Sequence, residues 1–191
     1  MKQEFDIEDR WISYEIHPET PPEGRHLDDL YRGADVGPMH NMLRARSAEF
    51  GLPFAPPRLL ANSRPAILAA EYARDHGRFP EFSRRVFSAY FAEGRNIGDI
   101  EVLQAVAEEV KLDPEDLRRS LDAGEYVDRL LSTEADARRL RITGVPTFFI
   151  NGPPTAGGST QASTPAQAPT PSRRIVGAQP LEVFRKALLS P

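Results

Sequence analysis

Cysteine is absent from this chain of 191 residues. Its absence excludes disulfide bonds, thiolate metal sites and a cysteine nucleophile within these residues. The histidines are scattered, with no H-E-x-x-H motif and no pair spaced by four residues, at His17, His26, His40 and His76. Because such spacing is what places two ligands on one helical face, we predict no metal site.

Long apolar runs are also missing, since none approaches the roughly 18 residues that a membrane span needs. The first residues, MKQEFDIEDRW, have neither the basic start nor the apolar stretch of a signal peptide. A net charge of -4, with the arginine pairs set among acids, does not favour nucleic-acid binding. We therefore predict a cytoplasmic protein without a membrane or nucleic-acid partner.

Motifs of common enzyme sites are lacking as well. The chain has no G-x-S-x-G elbow, no phosphate-binding loop and no dinucleotide fingerprint. Acidic pairs such as Glu108-Glu109 lie on helical patterns, where a solvated face is the better interpretation. The residues thus predict no cofactor and identify no catalytic group.

Helical periodicity dominates the middle of the chain, from about residue 38 to residue 141. Hydrophobic residues are 40% of the total, enough for one core, or for one core and a small subdomain. We predict helices at 64–75, at 100–110, from 114 onward with Asp113 as N-cap, and at 127–140. A further helix beginning near Pro80 is predicted to bury Phe82, Val86, Phe87, Tyr90 and Phe91.

Strand patterns flank this helical region on both sides. Residues 10–16, RWISYEI, alternate in the manner of a strand, with Ile12, Tyr14 and Ile16 on one face. Residues 147–150 predict a second strand, and 173–177 predict its delayed antiparallel partner after an Asn151-Gly152 turn signal. The segment between them, 152–172, contains only Gly, Pro, Ala, Ser, Thr and Gln, and is predicted to be a disordered loop. A last helix is predicted at 180–189.

Four stretches together resemble the DsbA family, in particular its FrnE-like branch near the 2-hydroxychromene-2-carboxylate isomerases. They are ISYEIHPETPPEG, RLLANSRPAILAAEYARDHGRFPEFSRRVFSAYFAEGRNIGD, TGVPTFFIN and RRIVGAQPLEVFRKAL, in that order. The resemblance covers nearly the whole chain except 152–172. It implies an α/β thioredoxin-like fold with a large all-helical insertion, and a thiol-disulfide oxidoreductase activity.

The resemblance also implies a domain division and a binding site. Residues 1–37 would supply the second strand of the thioredoxin-like domain, 38–141 the helical insertion and 142–191 the closing strand-strand-helix part. The proline matching Pro146 is cis in the family. Val145 and Pro146 are therefore expected to bind an extended peptide or glutathione, the ligand adding to the main chain at Val145.

The family's first, central strand and its Cys-x-x-Cys segment have no counterpart in these residues. We therefore expect a truncated protein that is inactive alone, with its nucleophile in a missing N-terminal part. Three alternatives remain: a non-catalytic peptide- or glutathione-binding module, an isomerase or kappa glutathione transferase-like enzyme whose nucleophile lies upstream, and a degraded remnant with little function. The sheet edges left open by the lost strand predict a possible homodimer that covers them.

Overall fold

The structure is a computed structural model that describes residues 1–150 and 173–189. The predicted disordered loop, 152–172, and the Asn151-Gly152 turn lie outside the described residues. The chain divides into two compact units: residues 1–12 with 131–191, and residues 13–130. The division at 37/38 and 141/142 stays a prediction; by contacts, residues 13–37 group with the helices and 131–141 with the closing part.

Helices make up most of the second unit. They are α1 (Leu27–Leu30), α2 (Gly37–Ala48), α3 (Arg64–Asp75), α4 (Phe79–Phe91), α5 (Ile100–Glu109) and α6 (Pro114–Asp122). A seventh helix, α7 (Val127–Arg139), begins in this unit and continues into the first. A short antiparallel pair, β1 (Arg25–His26) and β2 (Leu59–Leu60), also belongs to the second unit.

The core of the second unit lies among α3, α4, α5 and α6. Its largest fully buried side chains include Tyr72, Phe82, Leu103 and Leu117. Burial of an aromatic or branched side chain of this size stabilises a fold by roughly 1.5 to 3 kcal/mol. The apolar spacing predicted these helices, and the structure confirms their positions within one or two residues.

One predicted apolar face is only partly buried. Phe82 is fully buried on α4, but Phe87 is 57% exposed and Phe91 is exposed too. Phe87 stacks on Phe91, and Phe91 in turn stacks on Phe54. The prediction that all five apolar residues of α4 lie in the core was wrong, because the second half of the face meets solvent and aromatic neighbours.

Helix starts agree with the capping pattern. The Asp113 carboxylate accepts the main-chain N–H groups of Glu115 and Asp116 at 2.9 and 3.0 Å, which confirms it as the N-cap of α6. Asp99 accepts the N–H of Glu101 at the start of α5. Each bond satisfies a donor that the first helical turn leaves unpaired, and a cap of this type is worth about 1 kcal/mol.

The strand predicted at 10–16 is not formed. Among the described residues no strand runs beside it to receive its main-chain bonds, and an unpaired ladder is unstable. Ile12 and Ile16, which the alternation places on one face, are exposed, whereas Glu15 of the other face is buried. Glu15 forms a bidentate pair with Arg64, at 2.7 and 3.3 Å. Ser13 donates to Glu71, so side chains hold this segment in place of a sheet.

The first unit contains the predicted hairpin strands and the last helix. Strand β3 (Thr147–Ile150) pairs antiparallel with β4 (Arg173–Val176), with Thr147 opposite Val176, and α8 (Leu181–Leu189) follows. Phe148 on β3 meets Phe184 on α8 edge to face, with 4.8 Å between ring centroids. This contact covers one face of the two-stranded sheet. No helix in the described ranges is long and apolar enough to cross a bilayer.

Candidate functional site

A tight turn enters β3 at residues 144–147. The peptide bond between Val145 and Pro146 is cis. The Thr147 hydroxyl donates to the Gly144 carbonyl at 2.6 Å, so the turn is closed across the two residues between them. Val145 is 42% exposed, and Pro146 is exposed beside it. The turn therefore presents the valine-proline pair to solvent on a locally fixed backbone.

The approach to this turn is fixed by the end of α7. Arg141 has a left-handed backbone, with a φ of 51°. Its N–H donates to the carbonyl of Arg138, and the N–H of Ile142 donates to that of Ala137, the two bonds of a Schellman motif. Because a non-glycine residue in this conformation carries strain, the surroundings must hold it there.

Arg174 on β4 provides that support. Its guanidinium donates to the carbonyls of Leu140 and Arg141, at 3.1 and 2.8 Å. The same guanidinium carbon lies 5.9 Å from the ring centroid of Phe149 on β3. Arg174 thus connects the end of α7 to the sheet and fixes the start of the segment that leads to Val145.

The hydrogen bonding of β3 and β4 leaves one side of β3 open. The N–H of Gly177 donates to the carbonyl of Pro146 at 2.8 Å, which makes these two residues a bonded pair. Bonded and non-bonded pairs alternate along an antiparallel ladder, so Phe148 and Ile175 are the next bonded pair. The N–H and C=O groups of Thr147 and Phe149 therefore point to the other side. In the described part of the chain, β4 is the only strand paired with β3.

Charged groups near the N-terminus are attached to α8 in the same unit. Arg185 binds both carboxylate oxygens of Glu4, at 3.0 and 2.7 Å. Hydrogen bonding to Arg185 lowers the pKa of Glu4 from its ordinary value. Glu4 also closes a main-chain turn on Met1, so residues 1–5 are held against the last helix.

Residues 1–150 and 173–189 contain no cluster of three or more His, Asp or Glu side chains that could hold a metal ion. Beside the exposed turn, β3 presents main-chain donors and acceptors that β4 does not bond.

Comparison with known proteins agrees with this arrangement of strands, turn and helices. Residues 1–189 match the DSBA-like thioredoxin domain. The chain belongs to this family. Its thioredoxin-like α/β fold is thereby confirmed, as is the resemblance to the DsbA family. At the level of the family, the activity is of the thiol-disulfide oxidoreductase type.

Two similar proteins illustrate the resemblance. The uncharacterized protein YwbO of Bacillus subtilis (strain 168) is 30% identical over 155 residues, covering 76% of this chain and 72% of YwbO. The crystal structure of the probable DsbA oxidoreductase SCO1869 from Streptomyces coelicolor has a TM-score of 0.74 and 23% identity. That match covers 92% of this chain and 71% of the Streptomyces chain, and shows a shared fold.

The resemblance to the DsbA family led us to expect Val145 and Pro146 as binding residues, and that role stays a prediction. Val145 and Pro146, the two predicted site residues, lie together at the exposed turn. The Thr147 hydroxyl and Arg174 were missed. The short Gly-x-x-Thr spacing is a signal that could have indicated Thr147, whereas nothing in the sequence marks Arg174 as the residue that reaches back to α7.

Proposed function

We propose that this DsbA-family chain binds an extended peptide, or glutathione as a short peptide, beside Val145 and Pro146. The ligand would add to the open side of β3 as a further strand. A polypeptide of residues 1–191 alone would catalyse no thiol-disulfide exchange. With residues 1–191 alone, the protein would act as a peptide-binding module.

The unpaired side of β3 is the observation that carries the proposal. Thr147 and Phe149 direct donors and acceptors to that side, and the exposed Val145 precedes them. Strand addition uses such groups for affinity and alternate side-chain contacts for selectivity. The bond from Thr147 to Gly144 fixes the turn before the ligand arrives, which lowers the ordering cost of binding.

The absence of cysteine supports the catalytic part of the proposal. Exchange requires a thiolate that attacks a disulfide sulfur and forms a mixed disulfide. The chain has no cysteine to supply it. Any exchange at this site would therefore need a thiolate from outside residues 1–191.

Ligand-induced stabilisation tests the binding. The first probe is an eight-residue peptide of alternating valine and threonine, and glutathione is the second. At 100 times the dissociation constant, a ligand specific for the folded state raises the melting temperature by about 5 to 10 °C. The proposal is contradicted if neither probe shifts the melting temperature at millimolar concentration.

Backbone methylation of the peptide tests whether binding is strand addition. Two versions carry N-methyl groups on alternate residues, in the two possible registers. Since an added strand bonds through every second residue, one version should bind and the other should not. Equal affinity of both versions contradicts strand addition.

A pair of variants locates the ligand. Val145→Asp should weaken binding, whereas Val183→Asp on α8 should leave it unchanged, since the two valines are 42% and 40% exposed.

An insulin-reduction assay with dithiothreitol tests the catalytic claim. We expect the rate of insulin reduction not to exceed that of the blank. A reduction rate that copurifies with the chain would contradict the claim that these residues are inactive.

A further inference from the structure

One face of the sheet formed by β3 and β4 turns away from α8 and carries an arginine. Directly opposed residues of an antiparallel pair share a face, and Phe149 is opposite Arg174 while Thr147 is opposite Val176. Phe148 belongs to the other face, where it packs on α8. We call the first of these faces the Arg174 face. Val176 is 43% exposed and Arg174 is exposed as well, so a ligand can reach this face.

Arg174 keeps part of its positive charge uncompensated. Its guanidinium lies 5.9 Å from the ring centroid of Phe149 and donates to the carbonyls of Leu140 and Arg141. These acceptors are neutral groups at the end of α7, and the C-terminus of a helix supplies only about half a negative charge. The two bonds use two of the five N–H groups of a guanidinium. Arg174 therefore has both charge and donors left for an anionic ligand.

The lack of a carboxylate at Arg174 contrasts with other arginines of the chain, such as Arg129, which pairs with Asp75 at 2.8 Å. Within residues 1–150 and 173–189, no carboxylate pairs with Arg174 or with the exposed Arg141. Nine cations and seven anions give the first unit a net charge of +2, although the whole chain carries -4. The unit that contains β3 is therefore the one that attracts anions.

A strand added to the open side of β3 would place side chains within reach of this guanidinium. Neighbouring strands lie about 4.8 Å apart, so the added strand is about 10 Å from β4, with β3 between them. A ligand residue opposite Phe149 directs its side chain to the Arg174 face, because opposed residues share a face. Arginine and glutamate are both long side chains, and extended toward each other over the Phe149 ring they can meet.

We infer that the site selects an antiparallel peptide with a glutamate opposite Phe149, and that Arg174 is the residue that selects it. This inference rests on the proposed strand addition to β3. Antiparallel pairing is the more stable arrangement per residue. A guanidinium and a carboxylate form charge-assisted hydrogen bonds, which are about twice as strong as neutral ones. Glutamine offers the same shape without the charge, and lysine would bring two like charges together.

Isothermal titration calorimetry tests the preference for an acid. The probes are eight-residue valine-threonine peptides with neutral, acetylated and amidated ends, and with glutamate, glutamine or lysine at one central position. We expect the glutamate peptide to bind about threefold to tenfold more tightly than the glutamine peptide, and the lysine peptide to bind most weakly. The difference should disappear at about 1 M salt, where the screening length is about 3 Å.

Backbone methylation of the peptide tests which face the acid occupies. In an antiparallel complex, the ligand residues that bond to β3 lie opposite Thr147 and Phe149, on the Arg174 face. N-methyl groups on every second residue leave only the other residues able to bond. Glutamate at an unmethylated residue should therefore strengthen binding, whereas glutamate at a methylated residue, on the α8 face, should not. The reverse order would overturn the inference.

Variants of Arg174 test the residue itself. In Arg174→Gln, the ratio of the affinities for the glutamate and glutamine peptides should fall to about one, whatever the variant does to both affinities. Arg174→Lys keeps the charge but not the planar fork, so its ratio should lie between those of the parent and Arg174→Gln. The control is Lys2→Gln, which removes a positive charge from the same unit at a side chain that is 64% exposed. It should leave the ratio within about twofold of the parent's.

Different results would overturn the inference and the binding proposal. If the neutral peptide binds but glutamate strengthens binding less than about twofold, strand addition is supported and the acidic preference is overturned. A preference for glutamate that survives Arg174→Gln overturns the assignment of Arg174. If none of the peptides binds, strand addition to β3 is wrong, and the inference is wrong with it.

Discussion

The N–H of Gly177 donates to the carbonyl of Pro146 at 2.8 Å. This bond connects the residue after β4 to the residue before β3. It sets which residues of β3 bond to β4 and which present their main chain to the other side. The bond from Gly177, just after β4, thereby determines which side of β3 is open, and the binding proposal depends on that side.

Amide hydrogen exchange can measure directly which residues of β3 bond to β4 and which do not. We expect the amide of Phe148 to exchange slowly, because it bonds to Ile175, and the amides of Thr147 and Phe149 to exchange quickly. Rates measured by NMR and corrected for intrinsic exchange provide the test. A bound peptide should slow Phe149 and leave Phe148 unchanged. Equal protection of Phe148 and Phe149 in the free protein would contradict the predicted alternation.

The bond from Thr147 to Gly144 should stabilise both the turn and the bound state. Thr147→Val keeps the shape but removes the donor, so we expect a loss of about 1 kcal/mol in unfolding free energy. Thr147→Ser keeps the hydroxyl and serves as the control. Urea unfolding and peptide affinity are the measurements. If the valine and serine variants behave alike, the hydroxyl does not hold the turn.

Two phenylalanines of α4 should differ sharply on substitution. Phe82 is fully buried, so Phe82→Ala should cost about 3 to 5 kcal/mol of unfolding free energy. Phe87 is 57% exposed, and Phe87→Ala should change the same quantity by no more than about 0.5 kcal/mol. Chemical denaturation of both variants checks the pair. Similar losses would show that the outer half of the face is buried in solution.

One ion pair predicts a pH dependence of stability. Hydrogen bonding to Arg129, at 2.8 and 2.9 Å, lowers the pKa of Asp75 below its ordinary value of 3.8. A lowered pKa means that the stabilisation is fully present above about pH 4 and is lost as pH falls through the folded-state value. Because the Asp75 side chain is 43% exposed, solvent screening limits the effect to about 0.2 to 1 kcal/mol.

Asp75→Asn tests that sign. It should be less stable than the parent at pH 7, and the difference should shrink as the pH falls to about 2. Asp122→Asn is the control, because Asp122 is more exposed and lies 3.8 Å from Arg118. Urea unfolding across this pH range is the measurement. A difference that grows on acidification would contradict the assignment.

Local signals predicted the helices well. The cap at Asp113 and the apolar spacing of α3 and α5 depend on residues within a few positions of one another, and the structure confirms them. The prediction of a strand at 10–16 was wrong because alternation gives a segment two faces but does not supply the neighbour that a strand must bond to. The burial of Glu15 could not be predicted either, since Arg64 is 49 positions away in the chain.

By itself, the sequence determined that no thiol chemistry can originate in residues 1–191, since it contains no cysteine. It also determined most of the described helices, because each depends on neighbouring residues, whereas Val145 and Pro146 were expected as a site only from the resemblance to the DsbA family. Only the tertiary structure decided which side of β3 is open and that, within the described residues, α2 has no extensive contact with another helix or strand. Both depend on contacts between distant segments, such as Pro146 with Gly177, which no local pattern specifies.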